Sequence, residues 1–220
     1  MLWEIKNEIF IFIIKVRNHF FGDIILEPRL KITQEKPFIK NKEPNASVYF
    51  QHLLPISSDA FIKKLDNWSI QYKYFEHVPL RTVKDSKSVQ DIFLSAEEDG
   101  GHIKNLFLRD HKKNNILIVA HQDAFIDLKN LQFKIGAGRL SFGSSNRLME
   151  YLGVFPGAVT PFSMINGVHK NVVLFMDLSL KNYKKIYMHP LVNDRTLEMT
   201  IENLEMFFKK INVIPHWIKL

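Results

Sequence analysis

A chain of 220 residues without a single cysteine can bury a core unaided, and it has no disulfide framework, thiol nucleophile or cysteine-held zinc. Hydrophobic residues make up 46% and charged residues 24%, the balance of a globular domain. The 30 Lys and Arg against 23 Asp and Glu leave a formal charge of +7, which suits a phosphate-bearing partner without pointing to one.

Met1 to Phe21 is rich in Ile and Phe, and its longest apolar run, Ile9–Ile14, is six residues, against the ~20 of a membrane helix. Trp3, Glu4 and Glu8 stand where a secretion signal carries basic residues, and no small-residue cleavage site follows Val16. The expected location is therefore cytoplasmic. Glu27 to Asn45 is polar and punctuated by Pro28, Pro37 and Pro44. Residues 1–56 read as a poorly patterned N-terminal extension, and residues 57–220 as the domain proper.

From Ser57 the pattern tightens. Ser57 and Ser58 can cap a helix carrying Phe61, Leu65 and Trp68 on one face. Gln71–Glu76 alternates and is aromatic, which predicts a strand. A short helix is expected at Ser88–Leu94 and a turn at Glu97–Gly101. Ile103–Arg109 and Ile116–His121 are β-rich runs joined by a polar stretch, the pattern of a hairpin. Asp127 can cap a helix closed by Gly136, and a second helix from Ser144 to Leu152 ends at Gly153. Val172–Leu178 predicts a hydrophobic strand. Ile186–Met188, Leu197–Thr200 and Val213–Ile218 are weaker strand candidates around a helix at Ile201–Lys210. Strands and helices mix without a regular βαβ beat, so the expected fold class is α+β, a mixed sheet with flanking helices.

The chemistry-bearing patterns are sparse. No GxxxxGK[ST], HExxH or GxSxG occurs. Gly136-Ala-Gly138-Arg139-Leu-Ser141 follows a helix rather than a strand, which argues against a dinucleotide fingerprint. No two of the nine histidines have close metal-ligand spacing with a nearby carboxylate, although His77, His102, His121 and His189 could converge in space. Strand alternation puts Lys104 on the same face as Leu106 and Leu108. There it either snorkels to solvent or reaches an anion such as a phosphate. Gly157-Ala-Val-Thr-Pro161 follows Phe155-Pro156. Its glycine allows close approach to the main chain, and its proline fixes the exit. Such a loop reads equally as a tight turn or as a donor of N–H groups to a carbonyl.

Five segments recur together in one family. They are Lys104–Asp110 (KNLFLRD), Gly136–Ser144 (GAGRLSFGS), Met149–Gly153 (MEYLG), Gly157–Phe162 (GAVTPF) and His189–Asp194 (HPLVND). In this order they resemble the YbaK-type editing domains associated with prolyl-tRNA synthetase, nearest to the stand-alone branch that deacylates alanyl-tRNA(Pro). The resemblance covers roughly Ser57 to Leu220. It implies hydrolysis of the ester between a mischarged amino acid and the terminal adenosine of tRNA, with no metal, no cofactor and no protein nucleophile, the terminal ribose hydroxyl assisting the water. Carried over by motif, Lys104 engages the terminal phosphate, with Asn105 supporting the same region. Gly157 orients the carbonyl through its N–H, and Pro161 fixes that loop. Arg139 and His189 line the pocket or the tRNA contact, and Met188 sets pocket size. The implied partners are the tRNA acceptor end and prolyl-tRNA synthetase, with neither membrane nor DNA. Cysteinyl-, seryl- or threonyl-tRNA remain alternative substrates, and a non-catalytic tRNA-binding module an alternative role. A DNA-binding regulator rests on charge alone and lacks a helix-turn-helix signal.

Overall fold

The computed structural model describes residues 17–18, 43–80 and 100–220. The helix expected at Ser88–Leu94 and most of the turn before Gly101 lie outside the described residues. Nine strands form one mixed sheet: β1 Arg17–Asn18, β2 Lys73–Glu76, β3 Gly100–Arg109, β4 Asn115–His121, β5 Ser141–Phe142, β6 Val173–Asp177, β7 Lys185–Met188, β8 Arg195–Met199 and β9 His216–Ile218. Their order is β1-β2-β8-β7-β3-β4-β6-β9, with β5 added to β3. β3 and β4 form the expected antiparallel hairpin, Lys104 opposite Ala120 and Phe107 opposite Leu117. β3 is parallel to β7, and β4 to β6. The fold is α+β.

The middle of the sheet is buried on both faces, which is why β4 and β6 read as continuous apolar runs rather than alternating ones. Phe107, Leu117, Val119, Leu174 and Met176 point into the main core. Leu108, Ile116 and Ile118 point the other way, into a smaller cluster with Leu131 and Leu140. Helix α1 (Ser58–Asn67) starts where Ser57 Oγ accepts from the Ala60 N–H at 3.1 Å, and it buries Phe61 and Leu65. The last long helix, Ile201–Lys210, is capped by Thr200 and buries Leu204, Phe207 and Phe208. Phe61, Phe162 and Phe207 stack edge to face or tilted with ring centroids 4.9–5.7 Å apart, knitting both helices into the core.

Asp127 caps the helix Leu128–Lys134, and Gly136 follows with φ +64°. The helix after Ser144 is α only over Ser145–Arg147. It widens to a π turn over Leu148–Leu152 and stops at Gly153, φ +66°. Helical turns over Pro161–Lys170 and a 3-10 segment at Leu178–Asn182 were not apparent from periodicity, each being too short to establish one. The last strand is shorter than expected, because Asn212 (φ +55°) and Val213 are used to close the preceding helix.

The boundary drawn at residue 56 runs through packed structure. Val48–Leu53 is a 3-10 helix, and Ala46, Phe50 and Leu54 are core residues. The Asp194 carboxylate accepts from the Val48 N–H at 2.9 and 3.0 Å, and the Asn193 N–H donates to the Ala46 carbonyl at 2.8 Å. Among the described residues, no helix is long and apolar enough to cross a membrane.

Candidate active site

Strand β3 keeps company with β7 only from Gly100 to His102. Beyond that point β3 runs on beside β4, and the next strand registered on its β7-facing edge among the described residues is β5, at Leu108. Diverging parallel strands open a crevice past their carboxyl ends. Here a cavity of about 30 Å³ lies in the fork, lined by Leu80, His102, Asn105, Met188, His189 and Thr196 among others. That is room for roughly one or two water molecules.

The cavity is walled by uncharged histidines. His189, immediately after β7, donates from Nδ1 to the Arg195 carbonyl at 2.9 Å, which leaves Nε2 as an acceptor. Burial pushes its pKa down, against the opposing pull of that carbonyl. His77 lies beside it, ring centroids 6.1 Å apart, and burial lowers its pKa to about 4. Its Nδ1 donates to the Val78 carbonyl at 2.7 Å, and its Nε2 accepts from the Thr196 hydroxyl at 2.9 Å. His102 is stacked on Tyr187 (4.6 Å, 12°), and burial takes its pKa to about 4. The Tyr187 hydroxyl in turn donates to Glu198 at 3.2 Å, and Glu198 pairs with Lys185 at 2.9 Å. Two polar atoms of cavity residues are buried and meet no partner: His102 Nε2 and Asn105 Oδ1. Each unmet group costs on the order of 1–3 kcal/mol.

The residues singled out from sequence separate into two groups. Asn105, Met188 and His189 meet at the cavity. Lys104 does not line it. The strand places Lys104 on the face of Leu106 and Leu108, as alternation predicts, and its Nζ donates to the Ala124 carbonyl in the loop after β4. Asn105, one residue on, faces the opposite way, so the two do not serve one region through adjacent side chains. Gly157 forms a turn with Pro156 at φ +93°, a conformation glycine tolerates best. Pro161 is buried at the first position of the 3-10 turn Pro161–Ser163, with Thr160 capping it. The loop is thus rigid, but it does not contribute to the cavity lining. Arg139 is exposed on a bend away from these residues. The HPLVND segment does more than supply His189. Asn193 and Asp194 accept backbone bonds from Leu80 and His77, at 2.7 and 3.0 Å, and so fasten the cavity wall.

His102, Tyr187 and Thr196 were not marked by any motif as cavity residues. The position of His102, two residues before Lys104 at the start of a strand, was the only available signal, and it did not distinguish the two faces of the strand. Among the described residues, no group of three His, Asp or Glu side chains is arranged to hold a metal ion.

A family model described as the aminoacyl-tRNA editing domain matches residues 79–207. The chain belongs to the aminoacyl-tRNA editing domain family. Editing of this kind is hydrolysis of the ester between amino acid and tRNA, so membership makes the chain an aminoacyl-tRNA deacylase by class. It is similar to the prolyl-tRNA editing protein ProX of Acetoanaerobium sticklandii, with 39% identity over 70% of this chain and 91% of that one. It also resembles prolyl-tRNA synthetase associated domain-containing protein 1 of Xenopus laevis, 34% identical over 53% of this chain and 71% of the relative. Among solved structures, a candidate trans-editing enzyme for prolyl-tRNA synthetase shares the fold at a TM-score of 0.55. It is 19% identical and covers 74% of this chain and 97% of its own.

Proposed function

We propose that the protein edits in trans, hydrolysing mischarged tRNA(Pro), with Ala-tRNA(Pro) its substrate and no metal taking part. The observation that carries this reading is the cavity at the β3–β7 fork, in a chain 39% identical to a prolyl-tRNA editing protein. Its volume of about 30 Å³ suits a methyl side chain and a water molecule, whereas a prolyl ring requires the walls to move. Met188 is the side chain that closes it on the core side.

Water adds to the ester carbonyl, and the tetrahedral intermediate collapses. The bond to the ribose oxygen breaks, that oxygen takes a proton, and the amino acid leaves as its carboxylate. His189 Nε2, an acceptor because Nδ1 is committed to Arg195, orients the water. The terminal ribose hydroxyl assists it. Gly157 supplies a main-chain N–H to the developing oxyanion, and Pro161 holds that loop in place. Lys104 exchanges the Ala124 carbonyl for the terminal phosphate, supplying a charge-assisted contact. Arg139 and the general positive charge contribute to acceptor-end binding. Prolyl-tRNA synthetase, the source of the mischarged product, is the protein partner that fits this role, in the cytoplasm.

The test is a deacylation panel of Ala-, Cys-, Ser- and Pro-tRNA(Pro) with the purified chain, run with and without EDTA. Hydrolysis of Ala-tRNA(Pro), sparing of Pro-tRNA(Pro) and indifference to EDTA are expected. Loss of turnover on chelation with recovery on zinc would defeat the mechanism. Preference for the cysteinyl ester would move the specificity, and binding without turnover would leave only a tRNA-binding module.

A further inference from the structure

Two buried acceptors without partners in a cavity this small need a donor. His102 is only 7% exposed, and its ring is clamped flat against Tyr187, itself anchored by Glu198. Nothing among the described residues satisfies its Nε2, and Asn105 Oδ1 is likewise unmet. Both residues line the fork cavity beside His189. A neutral imidazole carries one N–H and one lone pair, and an amide oxygen only accepts. The missing ligand is therefore a group with several N–H donors, small enough for the fork. A water molecule can satisfy one acceptor with each hydrogen. An ammonium does so with charge, which strengthens both bonds.

We propose that His102 Nε2 and Asn105 Oδ1 are the receptor for the α-ammonium group of the substrate's aminoacyl moiety. This inference rests on the editing reading given above and deepens it. The pair makes the enzyme selective for an aminoacyl ester over the same ester without its amine. Burial that keeps His102 uncharged also removes the repulsion a protonated ring would impose on the ammonium. His102 and Asn105 then act as binding and orienting groups. They fix the amine so that the carbonyl carbon is presented to the water at His189, and they take no proton in the reaction.

The experiment compares alanyl-tRNA(Pro) with lactyl-tRNA(Pro), in which a hydroxyl replaces the amine. Each rate is normalised to spontaneous hydrolysis of the same ester. The wild-type chain should prefer the alanyl ester by 10-fold or more in kcat/KM. His102→Phe and Asn105→Leu should each erode that preference toward unity, while His102→Gln, which retains an acceptor, should restore part of it. A purely structural role slows both esters equally and leaves the ratio unchanged, and that result would overturn the proposal. So would a wild-type ratio near one with normal alanyl hydrolysis, which leaves the editing function standing. Absence of hydrolysis of any aminoacyl-tRNA would remove the editing function and the inference with it. Should His102→Phe fail to fold, the wild-type ratio and Asn105→Leu still decide the matter.

Discussion

Lys104 is bonded to the main-chain carbonyl of Ala124, and that contact gives two roles that one substitution separates. As a phosphate contact, Lys104 contributes roughly 1.5–3 kcal/mol of charge-assisted binding. Lys104→Ala should then lower single-turnover kcat/KM about 10- to 100-fold, with a small loss of thermal stability. A strap for the Ala124 loop alone predicts the reverse pattern, a fallen melting temperature and unchanged kcat/KM. Gly157 is tested differently, because its φ of +93° excludes β-branched residues whatever space surrounds it. Gly157→Val should abolish deacylation while acceptor-stem binding, measured by titration with uncharged tRNA, stays within a few-fold. Parallel loss of binding and turnover would make the loop a structural element rather than a carbonyl-orienting one.

The element that sequence patterning concealed is the 3-10 segment Val48–Leu53. Its apolar residues, Ala46, Phe50 and Leu54, recur every fourth position between polar neighbours, but the prolines upstream and the absence of a capping side chain masked the signal. Its hold on the domain is specific: Asp194 caps its first turn from 146 residues away. Phe50→Ala should cost about 3–5 kcal/mol by urea denaturation, the range for emptying a buried aromatic site. Asp194→Ala should cost roughly 1–3 kcal/mol, since the buried Val48 N–H is left unmet. If either variant melts within a degree of the parent, the segment is an appendage and not part of the core.

For the whole molecule, the buried histidines tie stability to pH. His77 and His102 titrate at about 4 when folded and near 6.5 when unfolded. Between those values the unfolded chain binds more protons, so stability is complete above about pH 6.5 and is lost as pH falls toward 4. Each histidine can contribute at most about 1.4 kcal/mol per pH unit in that window. His189 adds in the same direction, its folded pKa also being depressed. Denaturation curves from pH 4.5 to 8 should show stability rising with pH, and His77→Gln should flatten the rise. A slope unchanged by that variant would mean that carboxylates carry the acid sensitivity.

The local structure was legible because its causes are local. Ser57, Asp127 and Thr200 cap helices by bonding backbone groups two or three residues away, and the β3–β4 hairpin closes over a few polar residues. The ordered motifs likewise identified the family, since they are linear strings. Asn105, Met188 and His189 were marked as site residues by those strings, and the fold brings them to one cavity. The site itself was decided by tertiary structure. His102 lies some 85 residues from Tyr187 in sequence yet is stacked on it by the parallel register of β3 and β7, and no short-range pattern encodes a parallel pairing of that separation. The same register ends at His102, and the divergence that follows opens the cavity and orphans two acceptors. Strand alternation sends Lys104 and Asn105, neighbours in the motif, to opposite faces of the sheet. Composition and spacing can name both residues, but only the burial of each face determines what each one meets.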